Sequence, residues 1–463
     1  MPIPSRTEDV PRTPEELYER LTVKDSAIGA LWRHQSHALE VYFEGHRDQP
    51  DVALEFPTGS GKTLVGLLIA DWRRRTTGAS SAFVCPTKQL AAQAHEKALG
   101  YGVPTVLLVG SSRGWNEADR TRGLGAGATI ITTYSHIFNV RPRINATTLV
   151  LDDAHAGESY VSQHWSLRLS RTHPGYRAAV EMLKDVLEDG RADALLDDSL
   201  SPAARGVPSF VGPAALAPIA PSLVEVLEAT VDEGEDASYA LFTLRDSLAA
   251  CACYVAWNEL CIRPVVPPTK FHSAFAGAAQ RVYLSATLGD AGELERSFGL
   301  TRIPRIAMPA EWERHGSGRR LVLLPGAGMP LAEAGAFVET TIRELPRALI
   351  LVPSDAQLDD GAAFAPDDWD VLRRDDVDAA LEPFRSSSES VLVLANRYDG
   401  MDLPGDDCRL ILMFGLPSGT NLQERFLFET LHADAALRER IRTRIVQGMG
   451  RATRSRTDRA LVI

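Results

Sequence analysis

The chain has no run of about 18 uninterrupted apolar residues, so no membrane-spanning helix is expected. Its start, MPIPSRTEDVPRTPEEL, lacks the basic segment, apolar core and small-residue cleavage site of a secretory signal. The expectation is a cytoplasmic protein with no membrane partner. Cysteines are few, five in 463 residues at 85, 251, 253, 261 and 408, and an odd number so spaced in a large chain argues against a disulfide framework. Cys251, Cys253 and Cys261 suggest a metal site, but no fourth ligand stands nearby and the surrounding LAACACYVAW is apolar, so core cysteines are expected. Low-complexity tracts are absent, and 44% hydrophobic with 24% charged residues is an ordinary globular composition. An excess of positive charge is missing too: the net charge is −12, which weighs against a nucleic-acid partner. The balance is uneven, however. Residues 438–459 hold eight arginines while 181–198 and 225–236 are acidic, and a local basic stripe binds phosphates whatever the total.

A chain of this length exceeds one compact core, and about three domains is the prior. Continuous apolar runs, VALEF (52–56), SAFVCPT (81–87), TVLLVG (105–110), ATIITTY (128–134), TTLVLDD (147–153) and RVYLSAT (281–287), alternate with helix-length segments. Unbroken rather than alternating hydrophobicity predicts parallel strands covered on both faces, the α/β doubly wound arrangement. A second series of the same kind runs RLVLLP (320–325), RALILVPS (347–354), DWDVL (368–372), SVLVLAN (390–396), CRLILMFG (408–415) and ALVI (460–463). Residues 175–262 read mainly as amphipathic helices broken by a Pro/Ala-rich loop at 201–222. The expected layout is a flexible segment 1–24, a first α/β domain over 25–155 plus 275–308, a mainly helical insertion over 156–274, and a second α/β domain over 309–463. The chain stops at ALVI inside a strand, which leaves room for further sequence beyond Ile463.

The first chemical signal is EFPTGSGKTL, residues 55–64. A strand leads into a turn, Pro57-Thr58-Gly59-Ser60-Gly61, and Lys62 and Thr63 open a helix. Glycines there let backbone N–H groups approach phosphate oxygens, Lys62 brings a charge to the β- and γ-phosphates, and Thr63 can ligate Mg²⁺. Phe56 stands where the general pattern has glycine. The second signal is LVLDDAH (149–155), where two carboxylates end an apolar strand. With a phosphate loop present, Asp152 is expected to hold Mg²⁺ and Asp153 to orient or deprotonate the attacking water. The bland alternative is that both cap the following helix.

Beyond these two signals, ordered blocks run the length of the chain. They are Gln35 in LWRHQSHALE, PTGSGKT (57–63), PTKQLAAQ (86–93), TTYSHIF (132–138), DDAH (152–155), SAT (285–287), LVPS (351–354), YDGMDLPG (398–405) and QGMGRATRS (447–455). This series resembles the superfamily 2 helicases of DEAH type. YLSATLGDAGELERSFGL, the run from RYDGMDLPG to MFGLPSG, and the insertion between DDAH and SAT are similar to the XPD and DinG branch. The resemblance spans about residues 25–463, carried by the blocks and not by the insertion.

It implies two RecA-like motor domains, ATP and Mg²⁺ as cofactors, and nucleic acid as partner, DNA rather than RNA. Protein partners are compatible with it. Gln35 would read the adenine edge, and Gly400 and Asp402 would belong to a nucleotide-sensing loop. Arg451 and Arg454, with Gln447, would act on the γ-phosphate, although an Arg-rich helix is most often a solvated face. His155, Ser285 and Thr287 would couple the phosphate site to the strand path. Thr87, Lys88, Thr133, Tyr134 and His136, with the GLPSG loop, would hold the strand's phosphates. Trp115, Trp165 and Trp257 offer stacking surfaces, but tryptophans are mostly core.

The chain departs from the family twice. Members with an iron–sulphur cluster hold it with four cysteines between the PTKQL-like and DEAH-like blocks, and this chain has none between Thr87 and Asp152, so no cluster is expected. Asp153 stands where glutamate is usual, which draws the carboxylate back by about 1.5 Å. The expected activity is an ATP-dependent helicase or translocase on single-stranded or forked DNA, 5′ to 3′ by resemblance, in repair or defence against foreign DNA. The competing expectation is an ATPase switch that binds nucleic acid or a partner without unwinding. A metabolic P-loop kinase would have no use for paired arginines in a second α/β domain.

Overall fold

The computed structural model describes residues 10–22, 29–56, 60–201, 205–286, 292–307, 318–373, 377–398, 401, 403, 405–417, 421–453 and 458–463. In chain order its strands are β1 (Asp51–Glu55), β2 (Ser81–Cys85), β3 (Thr105–Leu107), β4 (Thr129–Thr133), β5 (Thr148–Leu151), β6 (Leu167–Ser170), β7 (Ser209–Val211), β8 (Cys251–Ala256), β9 (Glu259–Pro264), β10 (Gln280–Ser285), β11 (Arg305–Ile306), β12 (Arg319–Val322), β13 (Arg347–Val352), β14 (Asp370–Leu372), β15 (Ser390–Ala395), β16 (Leu410–Met413) and β17 (Arg459–Val462). The chain divides into two compact units, Met1–Val161 with Pro268–Gly316, and Ser162–Pro267 with Ser317–Ile463.

In the first unit the strands form one sheet in the order β11-β1-β10-β5-β2-β4-β3, with every pairing parallel. Strands β2, β4, β5 and β10 are buried along their whole length and β1 along all but Glu55, as strands covered on both faces must be, while β3 at the sheet edge is partly buried. Helix Lys62–Thr77 lies directly on this sheet because Gly66 allows it: a Cβ there would come within 2.4 Å of Leu284 and 2.7 Å of Phe83. That close approach fixes the start of the helix beside the C-terminal ends of β1 and β5. Phe56, which replaces the usual glycine, is 1% exposed and belongs to this core.

The second unit holds another all-parallel sheet, β12-β17-β16-β13-β15-β14. The two parallel sheets predicted from the apolar runs are therefore present. The insertion is more than helices. Pro174–Met182, Ala220–Thr230 and Asp236–Leu244 are helical, but they accompany an antiparallel sheet in the order β6-β9-β8-β7. CACYVA and ELCIRP form its central hairpin around Trp257 and Asn258, with Tyr254 opposite Cys261. Short apolar runs have no periodicity that separates strand from buried helix, so the strand signal was silent until the two runs were paired. All five cysteines are free and buried.

The insertion also packs on residues of the second motor sheet's unit. Phe426 stacks on Phe210 at 5.1 Å and meets Tyr254 edge-on at 5.9 Å, while Arg425 donates to the Gly206 carbonyl and faces Glu259. Chain order places the segment in the first domain; packing places it with the second.

Candidate nucleotide site

Gly61 precedes helix Lys62–Thr77 with φ +81°, the left-handed conformation that glycine adopts without strain. Lys62 is thereby aimed across the C-terminal edge of the sheet at the two carboxylates of LVLDD. Its ammonium contacts Asp153 directly and lies 3.4 Å from Asp152 Oδ1. All three side chains are largely buried.

Asp152 directly follows β5, its N–H donating to the Val84 carbonyl at 2.8 Å and its carbonyl accepting from the Tyr134 hydroxyl at 2.9 Å. Its carboxylate oxygen Oδ1 is buried without a hydrogen-bond partner. Asp153 sits at φ +47°, a region unusual for any residue but glycine and best tolerated by aspartate and asparagine. Its carbonyl accepts from Ala156 at 2.8 Å and starts helix Ala154–His164. The main chain of Asp153 thus serves the helix while its carboxylate serves Lys62, so side-chain capping is not its role.

The Gln35 block holds the phosphate loop from behind. His34 Nε2 donates to the Ser60 carbonyl at 2.8 Å, and Gln35 Nε2 reaches Ser60 and Gly61 carbonyls at 3.3 and 3.4 Å. Gln35 Oε1 accepts the Trp32 N–H at 2.9 Å. Gln35 was expected to present its amide to an adenine; it is instead 4% exposed, with both ends of the amide engaged by backbone. The neighbouring His34 was missed because its partner, a carbonyl 26 residues away, has no sequence signature.

His155 and Ser285 meet, Nδ1 to Oγ at 2.7 Å, joining the β5 and β10 loops. Of the residues predicted to hold a strand, Lys88 is exposed, and Thr87 caps helix Lys88–Gly100, accepting the Leu90 N–H at 3.2 Å. Thr133 is buried with its hydroxyl 3.0 Å from Ser135. Tyr134 is a correction. It is wholly buried, stacked on Tyr160 at 5.5 Å, and supports Asp152 from beneath rather than facing a ligand. His136 packs at 4.9 Å against Trp115, whose indole N–H donates to the Val109 carbonyl. Burial and then the charge of Lys88 hold the His136 pKa below its ordinary value.

In the second unit, helix Asp434–Met449 leads to Arg451. Arg451 was expected to act on a γ-phosphate, yet it is 3% exposed and donates to the carbonyls of Tyr398 and Met401 at 2.8 and 2.6 Å. A guanidinium turned into the YDGMDL loop holds that loop's backbone at Tyr398 and Met401. Gln447 is buried, with Nε2 lacking a hydrogen-bond partner. Pro57, Thr58, Gly59, Thr287, Gly400, Asp402 and Arg454 lie outside the described residues.

A glycine turn opening a helix at the C-terminal edge of a parallel sheet, with its lysine facing two adjacent strand-end carboxylates, defines a P-loop ATPase. The comparisons with known proteins narrow this. Residues 32–182 match the DEAD/DEAH box helicase family and residues 346–463 the helicase C-terminal domain, together more than half of the chain. The chain belongs to the DEAD/DEAH helicases of superfamily 2, and it is an ATP-hydrolysing nucleic-acid helicase. Similar solved structures include an apo form of XPD, 17% identical with TM-score 0.61 over 93% of this chain and 95% of that one. An XPD helicase is 16% identical with TM-score 0.58 over 94% and 95%, and Xpd4 of S. tokodaii 15% identical with TM-score 0.55 over 93% and 95%. At these identities the likeness is one of fold, and it is the XPD fold that the sequence blocks resembled. No curated protein matches the sequence. Among the described residues no helix is long and apolar enough to cross a membrane.

Proposed function

We propose that the protein is an ATP-driven helicase or translocase of single-stranded or forked DNA, moving 5′ to 3′. The observation that carries the ATPase half is the clasp of Lys62 by Asp153 and Asp152 at the end of β5. With ATP bound, Lys62 exchanges this pairing for the β- and γ-phosphates, which frees Asp153 to accept a proton from the attacking water. Backbone N–H groups of the loop through Ser60 and Gly61 cradle the phosphates. The donor set fits Mg²⁺: a buried carboxylate oxygen without a hydrogen-bond partner on Asp152, and the Thr63 hydroxyl in the first turn of the helix, are hard oxygens on one edge. When bound, Mg²⁺ neutralises charge on the transferred phosphoryl group. His155 and Ser285 link the carboxylate loop to the SAT loop through their hydrogen bond.

Exposed Lys88, with His136 and Trp115 behind it, supports strand binding by the first unit through phosphate charge and base stacking. DNA as substrate, polarity and a role in repair or defence rest on the likeness to XPD and DinG. ATPase activity measured against single-stranded and duplex DNA and RNA is the direct test. Stimulation by DNA, lost in Lys62→Ala, is expected; activity in Lys62→Ala equal to wild type would end the assignment. One observation favours the second reading, a switch without unwinding: Asp153 is shorter than the usual glutamate and its backbone is left-handed. A switch would hydrolyse ATP on DNA yet displace neither a strand nor a bound protein.

A further inference from the structure

Glu424 is a carboxylate that the ATPase chemistry does not use, and it is 1% exposed. A buried charge is retained only when paired, and two arginines of helix Asp434–Met449 pair with it. Arg444 grips it through both guanidinium nitrogens, Nη1 to Oε2 at 2.9 Å and Nη2 to Oε1 at 2.8 Å, and Arg440 Nη1 approaches Oε1 at 3.2 Å. The same Arg444 Nη1 donates to the Pro417 carbonyl at 2.9 Å. Pro417 belongs to the GLPSG stretch, the segment expected to contact a nucleic-acid backbone. One guanidinium therefore holds the Pro417 carbonyl and a buried carboxylate together.

The helix that bears Arg440 and Arg444 ends in the QGMGR block. Positions 440, 444 and 447 follow the i, i+4, i+7 spacing of one helical face, and Arg451 stands just past the end of the helix. Arg451, at the far end, donates to the Tyr398 and Met401 carbonyls of the YDGMDL loop. Tyr398 closes the circuit: burial pushes its phenol up to about 12, and the nearby Arg444 guanidinium pulls against that rise. Two buried polar atoms on this path, Tyr398 Oη and Gln447 Nε2, have no hydrogen-bond partner. Polar groups buried in this way sit in a low-dielectric path along which the guanidinium charges act strongly.

Glu424 is also fixed from behind. It lies on helix Leu422–Arg425, capped by Asn421, which accepts the Glu424 N–H at 3.0 Å. The next two residues, Arg425 and Phe426, hold the insertion through Gly206, Phe210 and Tyr254. The Glu424 side of the Pro417–Arg444 contact is therefore tied down by its own cap and by the packing of the insertion.

We propose that Glu424, Arg440 and Arg444 are positioning residues that transmit nucleic-acid contact at the Pro417 loop to the Gln447–Arg451 end of helix Asp434–Met449. The inference rests on the helicase reading above, since it needs a strand at one end and ATP turnover at the other. ATPase kinetics of wild type, Glu424→Gln, Arg444→Gln and the double variant, with and without a saturating thymidine oligonucleotide, test it. Basal kcat and the KM for ATP are expected within about twofold of wild type, while stimulation by the oligonucleotide falls at least about fivefold, and the double variant is no worse than either single. Folded variants with wild-type stimulation would overturn the proposal, as would a change in KM alone. Should the variants fail to fold, amide hydrogen exchange on the wild type decides. Oligonucleotide without nucleotide is expected to alter exchange at 398–403 and 447–453, and unchanged exchange there overturns the relay. Wild type unstimulated by any nucleic acid would instead sink the helicase reading, and the relay with it.

Discussion

The Lys62 ammonium lies between the two carboxylates of the DDAH block, in contact with Asp153 and 3.4 Å from Asp152, and Asp153 reaches it from a left-handed backbone at φ +47°. The lysine that must later hold phosphate is here held by the groups expected to bind metal and activate water. On the proposed function, binding of ATP would exchange partners at Lys62 and release Asp153 in the same event.

Asp153→Asn is expected to retain ATP binding and to lose turnover by about 10²–10⁴-fold, the usual worth of a general base. Asp153→Glu is more informative. The left-handed conformation costs an ordinary side chain roughly 1–2 kcal/mol and aspartate less, so the longer residue should lower both melting temperature and kcat. A variant faster than wild type would show that the short base limits the rate.

Arg451→Ala should cost stability as well as activity. It strands the Tyr398 and Met401 carbonyls, a loss of about 2–4 kcal/mol for two charge-assisted hydrogen bonds to buried groups. Urea unfolding of the variant measures this directly. An arginine acting solely on phosphate would lower kcat with an unchanged midpoint.

Gly66→Ala tests how the phosphate-loop helix is seated. The added methyl meets Leu284, Phe83 and Val150 at 2.4, 2.7 and 3.1 Å. Overpacking of this kind costs about 1–3 kcal/mol, against a helix-propensity gain of about 1 kcal/mol. The KM for ATP should rise, because the start of the helix is displaced with the rest.

Glu295 gives the first unit an acid-sensitive tie. Burial works to raise its pKa, but the Arg305 fork at 2.7 and 2.9 Å and the Ile303 N–H at 3.1 Å outweigh it, so the carboxyl sits below its ordinary value of 4.5. A depressed folded value means stability that is present above the unfolded pKa and lost as pH falls through the folded one. Glu295→Gln should therefore be less stable than wild type by about 1–3 kcal/mol at neutral pH, and the gap should close as acid protonates the wild-type carboxyl. A gap independent of pH in urea titrations would refute the role of its charge.

Much of this molecule was legible in the chain because its signals are local. Unbroken apolar runs declared the two parallel sheets, since strands covered on both faces have no polar side to show. The turn before Lys62 and the paired Asp152 and Asp153 marked where the chain would be expected to bind nucleotide, since phosphate, metal and water each demand a particular residue type at a strand or helix end. What local pattern could not carry was orientation and partnership. That Tyr134 points inward under Asp152, that Gln35 and His34 brace the Ser60 carbonyl, and that Arg451 binds a loop backbone are decided by contacts across dozens of residues. The hairpin of CACYVA with ELCIRP, and the packing of the insertion on Phe426, depend likewise on which apolar surface finds which. Burial free energy is non-directional and indifferent to sequence distance, so a single chain announces that such surfaces will be covered but not by what.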